Sequence, residues 1–236
     1  MRDARERLIV ALDVPSAVAA KKIVAAVGDS VLFYKVGMQL YTAEGPTIVR
    51  DLIASGRQVF LDLKYHDIPN TVGSAVREAS RLGVRMLTVH ASGGSKMLRA
   101  ATEAARSSNP NLIVLGVTVL TSFAENDLEE VGGVNCLPDQ VVRLAKLALE
   151  GGCQGIVTSA REAARVRKEL GDNFTLVTPG VRPAGSAVED QVRVVTPAEA
   201  IAAGASHIVV GRPITAAADP AAAARAVLAE VSAYRV

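Results

Sequence analysis

The chain has 236 residues, 26 of them basic and 24 acidic, for a formal net charge of +2. The charges are spread along the chain with no basic stripe interleaved with aromatics, so nucleic-acid binding has no electrostatic footprint, and no apolar run approaches the ~18 residues of a membrane span. Half of the residues are hydrophobic but only 3% are aromatic and none is Trp, so a large core has to be built from Val, Leu, Ile and Ala.

The first residues, Met1 to Arg7, carry positive charge, but the apolar run behind them, Leu8 to Leu12, is only strand length and makes no signal-peptide h-region. Short apolar strands then alternate with longer amphipathic helices. The pattern predicts strand Leu8–Asp13, helix Ala17–Val27, strand Leu32–Val36, helix Pro46–Ser55, strand Gln58–Leu63, helix Val72–Leu82, strand Met86–His90 and helix Lys96–Ser107. It continues with strand Leu112–Leu120, helix Pro138–Glu150, strand Gly155–Thr158, helix Ala160–Leu170, strand Thr175–Thr178, helix Thr196–Ala203, strand His207–Gly211 and helix Pro220–Ala233. Ser16 can cap the first helix and Gly28 can end it; Asp219-Pro220 reads as an N-cap followed by Pro at N1. Cys136 and Cys153 have no further Cys or His at metal-ligand spacing, as expected of free thiols in a reducing compartment. A soluble chain of the cytoplasm is the expectation.

Strands each followed by a helix predict a parallel sheet closed by right-handed crossovers, a (β/α)8 TIM barrel of the α/β class. Roughly 250 residues is typical of that fold, and no Pro/Gly/Ser linker divides the chain, so residues 1–236 are expected to form one catalytic domain.

Chemistry in such a barrel sits at the C-terminal ends of the strands. Those ends carry Asp13, Lys35, Asp62–Lys64–Asp67, His90–Ser92, Thr121–Ser122, Pro179–Arg182 and Gly211–Arg212. The third is the most informative. In Phe60-Leu-Asp-Leu-Lys-Tyr-His-Asp67, strand alternation puts Asp62 and Lys64 on one face and Leu61 and Leu63 on the other. A lone Asp-x-Lys is usually a surface ion pair; here it lies in an apolar strand, a third charge follows, and Pro69-Asn70 stops the strand. Burying a carboxylate and an ammonium is costly unless they pair. With Asp13 and Lys35 at its borders the group forms a candidate alternating acid–base array of five charges. Flanking carboxylates favour the ammonium form of Lys64, making it a proton donor rather than a Schiff-base nucleophile.

Two further segments suggest an anion site. Val210-Gly211-Arg212-Pro213 ends the last strand and opens a helix, where barrels commonly bind phosphate through backbone N–H groups and a fixed cation; a turn glycine with a surface arginine is the plain alternative. The long, strandless loop from Thr178 to Val192 contains Arg182 and Gln191 and has the length of a lid, or of a flexible connection. His66, His90 and His207 each fit an ordinary exposed or satisfied histidine. No Ser-His-Asp order, Walker A loop, Gly-x-Gly-x-x-Gly fingerprint or metal cluster appears.

Asp62-Leu-Lys64-Tyr-His-Asp67-Ile-Pro-Asn-Thr71, with Ala11-Leu-Asp13, Tyr34-Lys35-Val-Gly37, Val89-His-Ala-Ser-Gly-Gly94, Val119-Leu-Thr-Ser122, Thr178-Pro-Gly-Val-Arg182 and Val210-Gly-Arg212, resembles the bacterial-type orotidine 5′-phosphate decarboxylase family, in order, from about residue 7 to residue 220. The resemblance implies decarboxylation of orotidine monophosphate to UMP, the last step of de novo pyrimidine synthesis, with no metal or cofactor. By that resemblance Lys64 donates a proton to C6 after CO2 leaves, Asp62 sits beside the departing carboxylate, and Lys35 completes the array. Asp67 and Thr71 are supplied across a homodimer interface to the partner's site. Asp13 binds a ribose hydroxyl, Thr121 and Ser122 face the pyrimidine, and Arg182, Gln191, Gly211 and Arg212 hold the phosphate or close the lid. Leu63, Tyr65, His66, Ile68, Pro69 and Asn70, within the same motif, complete the implied substrate-binding set. The nearest rival is a metal-dependent sister barrel, a sugar-phosphate decarboxylase or hexulose-phosphate synthase. Those enzymes place an acid where this chain has Lys35. A non-catalytic nucleotide-phosphate binding protein is the rival of another class.

Overall fold

The computed structural model describes residues 4–133, 136–183 and 195–233. A short helix, α1 (Ala4–Arg7), leads into strand β1 (Leu8–Ala11), and α2 (Ala17–Val27) returns the chain to β2 (Phe33–Gly37). Helices α3 (Met38–Glu44) and α4 (Pro46–Ala54) precede β3 (Gln58–Tyr65), α5 (Pro69–Arg81) precedes β4 (Met86–His90), and α6 (Gly94–Ser108) precedes β5 (Ile113–Val117). After α7 (Glu125–Glu130) and α8 (Leu137–Glu150) come β6 (Gly155–Val157), α9 (Ala160–Leu170) and β7 (Thr175–Thr178). Then α10 (Pro197–Ala202), β8 (His207–Val210), α11 (Arg212–Thr215) and α12 (Pro220–Ala233) follow. The strands pair in parallel and in sequence order, and β8 pairs back onto β1, so the sheet closes into a (β/α)8 barrel. Among the described residues no helix is long and apolar enough to cross a membrane.

Side-chain alternation along each strand separates two apolar layers. Ile9, Phe33, Phe60, Met86, Leu115, Val157, Val177 and Val209 form the cluster inside the barrel. Their strand neighbours, among them Val10, Tyr34, Leu61, Leu87, Val114 and Ile208, pack outward against the helices. The interior filling sets the height of the site, because a polar side chain two residues beyond an inward apolar one stands on that layer at the C-terminal mouth.

Helix punctuation follows the sequence. The Ala19 N–H donates to Ser16 Oγ at 3.2 Å, Gly28 ends α2 with φ 63°, and the Ala222 N–H donates to Asp219 Oδ1 at 2.9 Å. Several boundaries differ by one to three residues, and for two of them the reason is identifiable. Strand β5 stops at Val117 although the apolar run continues to Leu120, because its neighbour β6 ends at Val157 and offers no ladder beyond it. Helix α5 begins three residues earlier than its apolar periodicity predicts, because Pro69 occupies its first turn behind Ile68, a position that proline favours. Helices α3, α7 and α11 are too short to show a period in sequence.

Among the described residues the Tyr34 hydroxyl is one of four buried side-chain polar atoms without a hydrogen-bond partner. Tyr34 lies wholly inside the outer layer on β2, and its hydroxyl has no hydrogen-bond partner; burial pushes its pKa up to about 12. A buried unsatisfied hydroxyl is a cost that phenylalanine avoids. Tyr34→Phe is expected to leave the thermal midpoint unchanged or to raise stability by about 1 kcal/mol; a clear fall in calorimetric Tm would refute the assignment of this hydroxyl as unpaired.

Candidate active site

Three inward-facing polar residues stand above the apolar filling at the mouth of the barrel. Lys35 follows Phe33 by two positions on β2, Asp62 follows Phe60 on β3, and Thr88 follows Met86 on β4. The strand period of two therefore carries each onto the inner face. Lys35 Nζ donates to Asp13 Oδ1 at 2.7 Å and lies 3.8 Å from Asp62 Oδ2. Lys64 Nζ donates to both oxygens of Asp62, at 3.0 and 2.9 Å. The result is an alternating chain, Asp13–Lys35–Asp62–Lys64.

Exposure grades the array. The side chains of Lys35 and Asp62 are 11% and 13% accessible, Lys64 24% and Asp13 57%. The two central members are thus well shielded, and removing one partner of such a pair leaves an uncompensated buried charge, typically at a cost of about 3–5 kcal/mol. Space for the first pair comes from Gly37 at the end of β2. A Cβ there would lie 2.8 Å from Lys35 Nζ and 2.9 Å from Asp13 Oδ1, so a larger residue would push the tips of the ion pair from their present positions.

The backbone of β3 departs from a regular strand at Lys64, where φ is 50°, the one positive value at a non-glycine residue among those described. Such a left-handed conformation costs an L-residue roughly 1–2 kcal/mol. Between Leu61 and Tyr65 this strand advances four residues while β4 advances only from Leu87 to Val89, the signature of a bulge. The predicted facing survives the bulge, since Leu61, Leu63 and Tyr65 all pack on the outer layer and Lys64 reaches Asp62. The Lys64 N–H donates to Thr88 Oγ1 at 2.9 Å, and the Thr88 hydroxyl lies 3.0 Å from Asp62 Oδ1. Sequence reasoning missed Thr88. The signal was present, a polar residue at the inward position of an otherwise apolar strand.

The other expected site residues fall into three groups. Asp67 is exposed, accepts the Ile68 N–H on Oδ1 at 2.6 Å, and makes no ion pair among the described residues. Within one chain the array therefore has four members, and the expected fifth lies outside it. Ile68 is 66% exposed, and Pro69, Asn70 and Thr71 form the exposed first turn of α5. Leu63 and Tyr65 turn their side chains toward the helices, away from the array; burial raises the Tyr65 hydroxyl to a pKa of about 12. Thr121 and Ser122 are exposed in the turn after β5.

At the ends of the adjacent strands β7 and β8, Arg182 is buried and Arg212 exposed. The Arg182 N–H donates to the Val195 carbonyl at 3.0 Å, and a parallel bridge joins Val181 to Val195. Of the loop expected to be strandless, Val181 thus takes part in an isolated bridge, and residues 184–192 lie outside the described residues. Gln191 lies outside the described residues. A Cβ on Gly211 would sit 3.7 Å from Ala11 Cβ, an ordinary contact, so nothing in the chain's own packing demands glycine at that strand end.

The His66 and His90 rings lie 5.4 Å apart at 38° beside Lys64. A Cβ on Gly93 would approach Met97 Sδ to 2.1 Å and His66 Cδ2 to 3.3 Å, so glycine makes room for this corner. Burial holds the His90 imidazole below its ordinary pKa, aided by His66 and Lys64 and opposed by Asp62. The unfolded chain therefore binds more protons at this site as pH falls through ~6.5. His90 thus adds stability that is complete above that pH and is lost on acidification toward its depressed folded value. His90→Gln is expected to flatten the decline of Tm between about pH 7 and 5; equal slopes for both proteins in circular-dichroism melts would contradict this.

The array can supply a fixed proton donor next to a shielded carboxylate, with cations at two neighbouring strand ends for an anionic group. Among the described residues no group of three or more His, Cys, Asp or Glu side chains is arranged to hold a metal ion. A model of the Orotidine 5'-phosphate decarboxylase / HUMPS family matches residues 6–227. A protein named orotidine 5'-phosphate decarboxylase from Afipia carboxidovorans is 54% identical over 228 residues, covering 97% of this chain and 95% of that one. Another of that name, from Halorhodospira halophila, is 52% identical over 227 residues and covers 96% of each chain. The crystal structure of orotidine 5'-phosphate decarboxylase from Lactobacillus acidophilus matches with a TM-score of 0.86 at 39% identity, covering 95% of this chain and 98% of that one. The chain belongs to the Orotidine 5'-phosphate decarboxylase / HUMPS family.

Proposed function

We propose that this protein is a carboxy-lyase that converts orotidine 5′-monophosphate to UMP and CO2 in pyrimidine biosynthesis, with the whole barrel as its single catalytic domain. The observation that carries the reading is the Asp13–Lys35–Asp62–Lys64 alternation, with Lys35 Nζ 2.7 Å from Asp13 and 3.8 Å from Asp62. An ammonium there repels a divalent cation, which supports a reaction run without metal over that of the metal-dependent sister barrels, which place an acid at the same strand end.

In this reading the C6–carboxylate bond breaks beside Asp62, CO2 departs, and the electron pair stays on C6. A Lys64 Nζ proton then moves to C6, and solvent restores the ammonium. The carbanion has no full electron sink in the ring, so a fixed ammonium in a water-poor site is the stabilising element. Enzyme accelerations correspond to about 8–23 kcal/mol, and one lysine does not supply the upper end. Remote binding energy has to contribute, with Arg182, Gln191, Gly211 and Arg212 on the phosphate, Asp13 on the ribose, and Thr121 and Ser122 at the pyrimidine. Purified protein is expected to consume orotidine monophosphate in an absorbance assay with EDTA present. Activity that appears only with added divalent metal would instead support the sister reaction. Lys64→Ala should lower turnover by about 10²–10⁴-fold while still binding UMP in a calorimetric titration; unchanged turnover would remove Lys64 from the mechanism.

A homodimer with Asp67 and Thr71 reaching into the partner's site is supported by their exposure, by the separation of Asp67 from its own array, and by the exposed apolar Ile68 between them. Mixing inactive Lys64→Ala and Asp67→Ala subunits through a denaturation–refolding cycle then regenerates one intact site per mixed dimer, or about a quarter of wild-type activity for random twofold pairing. If the mixture stays as inactive as its parents, each Asp67 serves its own chain.

A further inference from the structure

We propose that Thr88 is a positioning residue for proton delivery, its hydroxyl fixing both the left-handed backbone of Lys64 and the carboxylate of Asp62. The inference rests on the reading of Lys64 as the proton donor. Thr88 is fully buried on the inner face of β4, and its hydroxyl is a single junction between two parts of β3. An amide N–H can only donate, so Oγ1 accepts from Lys64 at 2.9 Å and its own hydrogen is directed to Asp62 Oδ1 at 3.0 Å.

The need for such a junction follows from strand geometry. In an unbroken strand Lys64 would stand parallel to Asp62, roughly 7 Å further along. The bulge and the φ of 50° at Lys64 re-aim its side chain so that Nζ bonds both carboxylate oxygens. That conformation is unfavourable for lysine and needs a partner for the backbone N–H that the bulge removes from the ladder. Thr88 is that partner, and the same oxygen ties the bulge to the carboxylate. Serine could make both bonds, whereas valine has the shape of threonine and neither bond.

A displacement of about 1 Å at a proton donor can cost on the order of 100-fold in rate, while the proposed phosphate and ribose contacts lie at other strand ends. Turnover should therefore suffer more than substrate affinity. The test compares wild type, Thr88→Val, Thr88→Ser and Thr88→Ala in steady-state decarboxylation of orotidine monophosphate, with circular dichroism as a check on folding. Thr88→Val is expected to lower kcat by about 10- to 100-fold, the factor associated with losing a hydrogen bond to a charged group, with KM changed less than about threefold. Thr88→Ser should stay near wild type and exceed Thr88→Ala by a similar factor. This second pair keeps the test decisive if Thr88→Val does not fold. Equal kcat within each hydroxyl/no-hydroxyl pair would overturn the proposal, as would a loss confined to KM or a Thr88→Ser protein as slow as Thr88→Ala. A wild-type protein inert toward orotidine monophosphate would overturn the function itself, an outcome separate from a Thr88 series that is flat on an active enzyme.

Discussion

A carboxylate on the inner face of a closed barrel is tolerable only with cations against it, and Asp62 is that carboxylate. Lys64 bonds both of its oxygens and Lys35 stands 3.8 Å away on the neighbouring strand. The energetic constraint is one-sided, since such a pair adds little to stability when complete and costs several kcal/mol when broken. Residues that would otherwise be free to vary are bound to it: Gly37, whose missing Cβ admits the Lys35–Asp13 pair, and Thr88, which joins Asp62 to the bulge at Lys64.

The barrel filling makes this constraint chemically useful. Two of the chain's four phenylalanines, Phe33 and Phe60, lie inside the barrel directly before Lys35 and Asp62 in the strand alternation. They seal the floor beneath the array, and Met86 does the same beneath Thr88. Charges on an apolar floor interact through a lower effective dielectric than surface pairs do, which gives a single ammonium its leverage on a developing carbanion in the proposed reaction. A core with so few aromatics spends its bulk where the site needs a base.

The exposed stretch Asp67–Thr71 has the opposite character. It leaves the strand immediately after the array, starts α5 with proline, and presents Ile68 to solvent. In the dimer reading, the array and this segment are two halves of one site, contributed by different subunits.

Much of this was legible in the sequence because it depends on short periods. Alternation of two placed Asp62 and Lys64 on one face and Leu61 and Leu63 on the other, and eight apolar strands punctuated by capped helices specified the barrel. The strand ends then gave Asp13, Lys35, Arg182 and Arg212 as neighbours of the mouth. What the sequence could not determine was decided by contacts between strands. The end of β5 depends on where β6 stops, the left-handed turn at Lys64 on a register shift against β4, and the role of Thr88 on an oxygen 26 residues from Asp62 in the chain. Periodicity fixes which way a side chain faces, because that is local backbone geometry; which atom it meets depends on the packing of separate strands, and only the closed barrel supplies it.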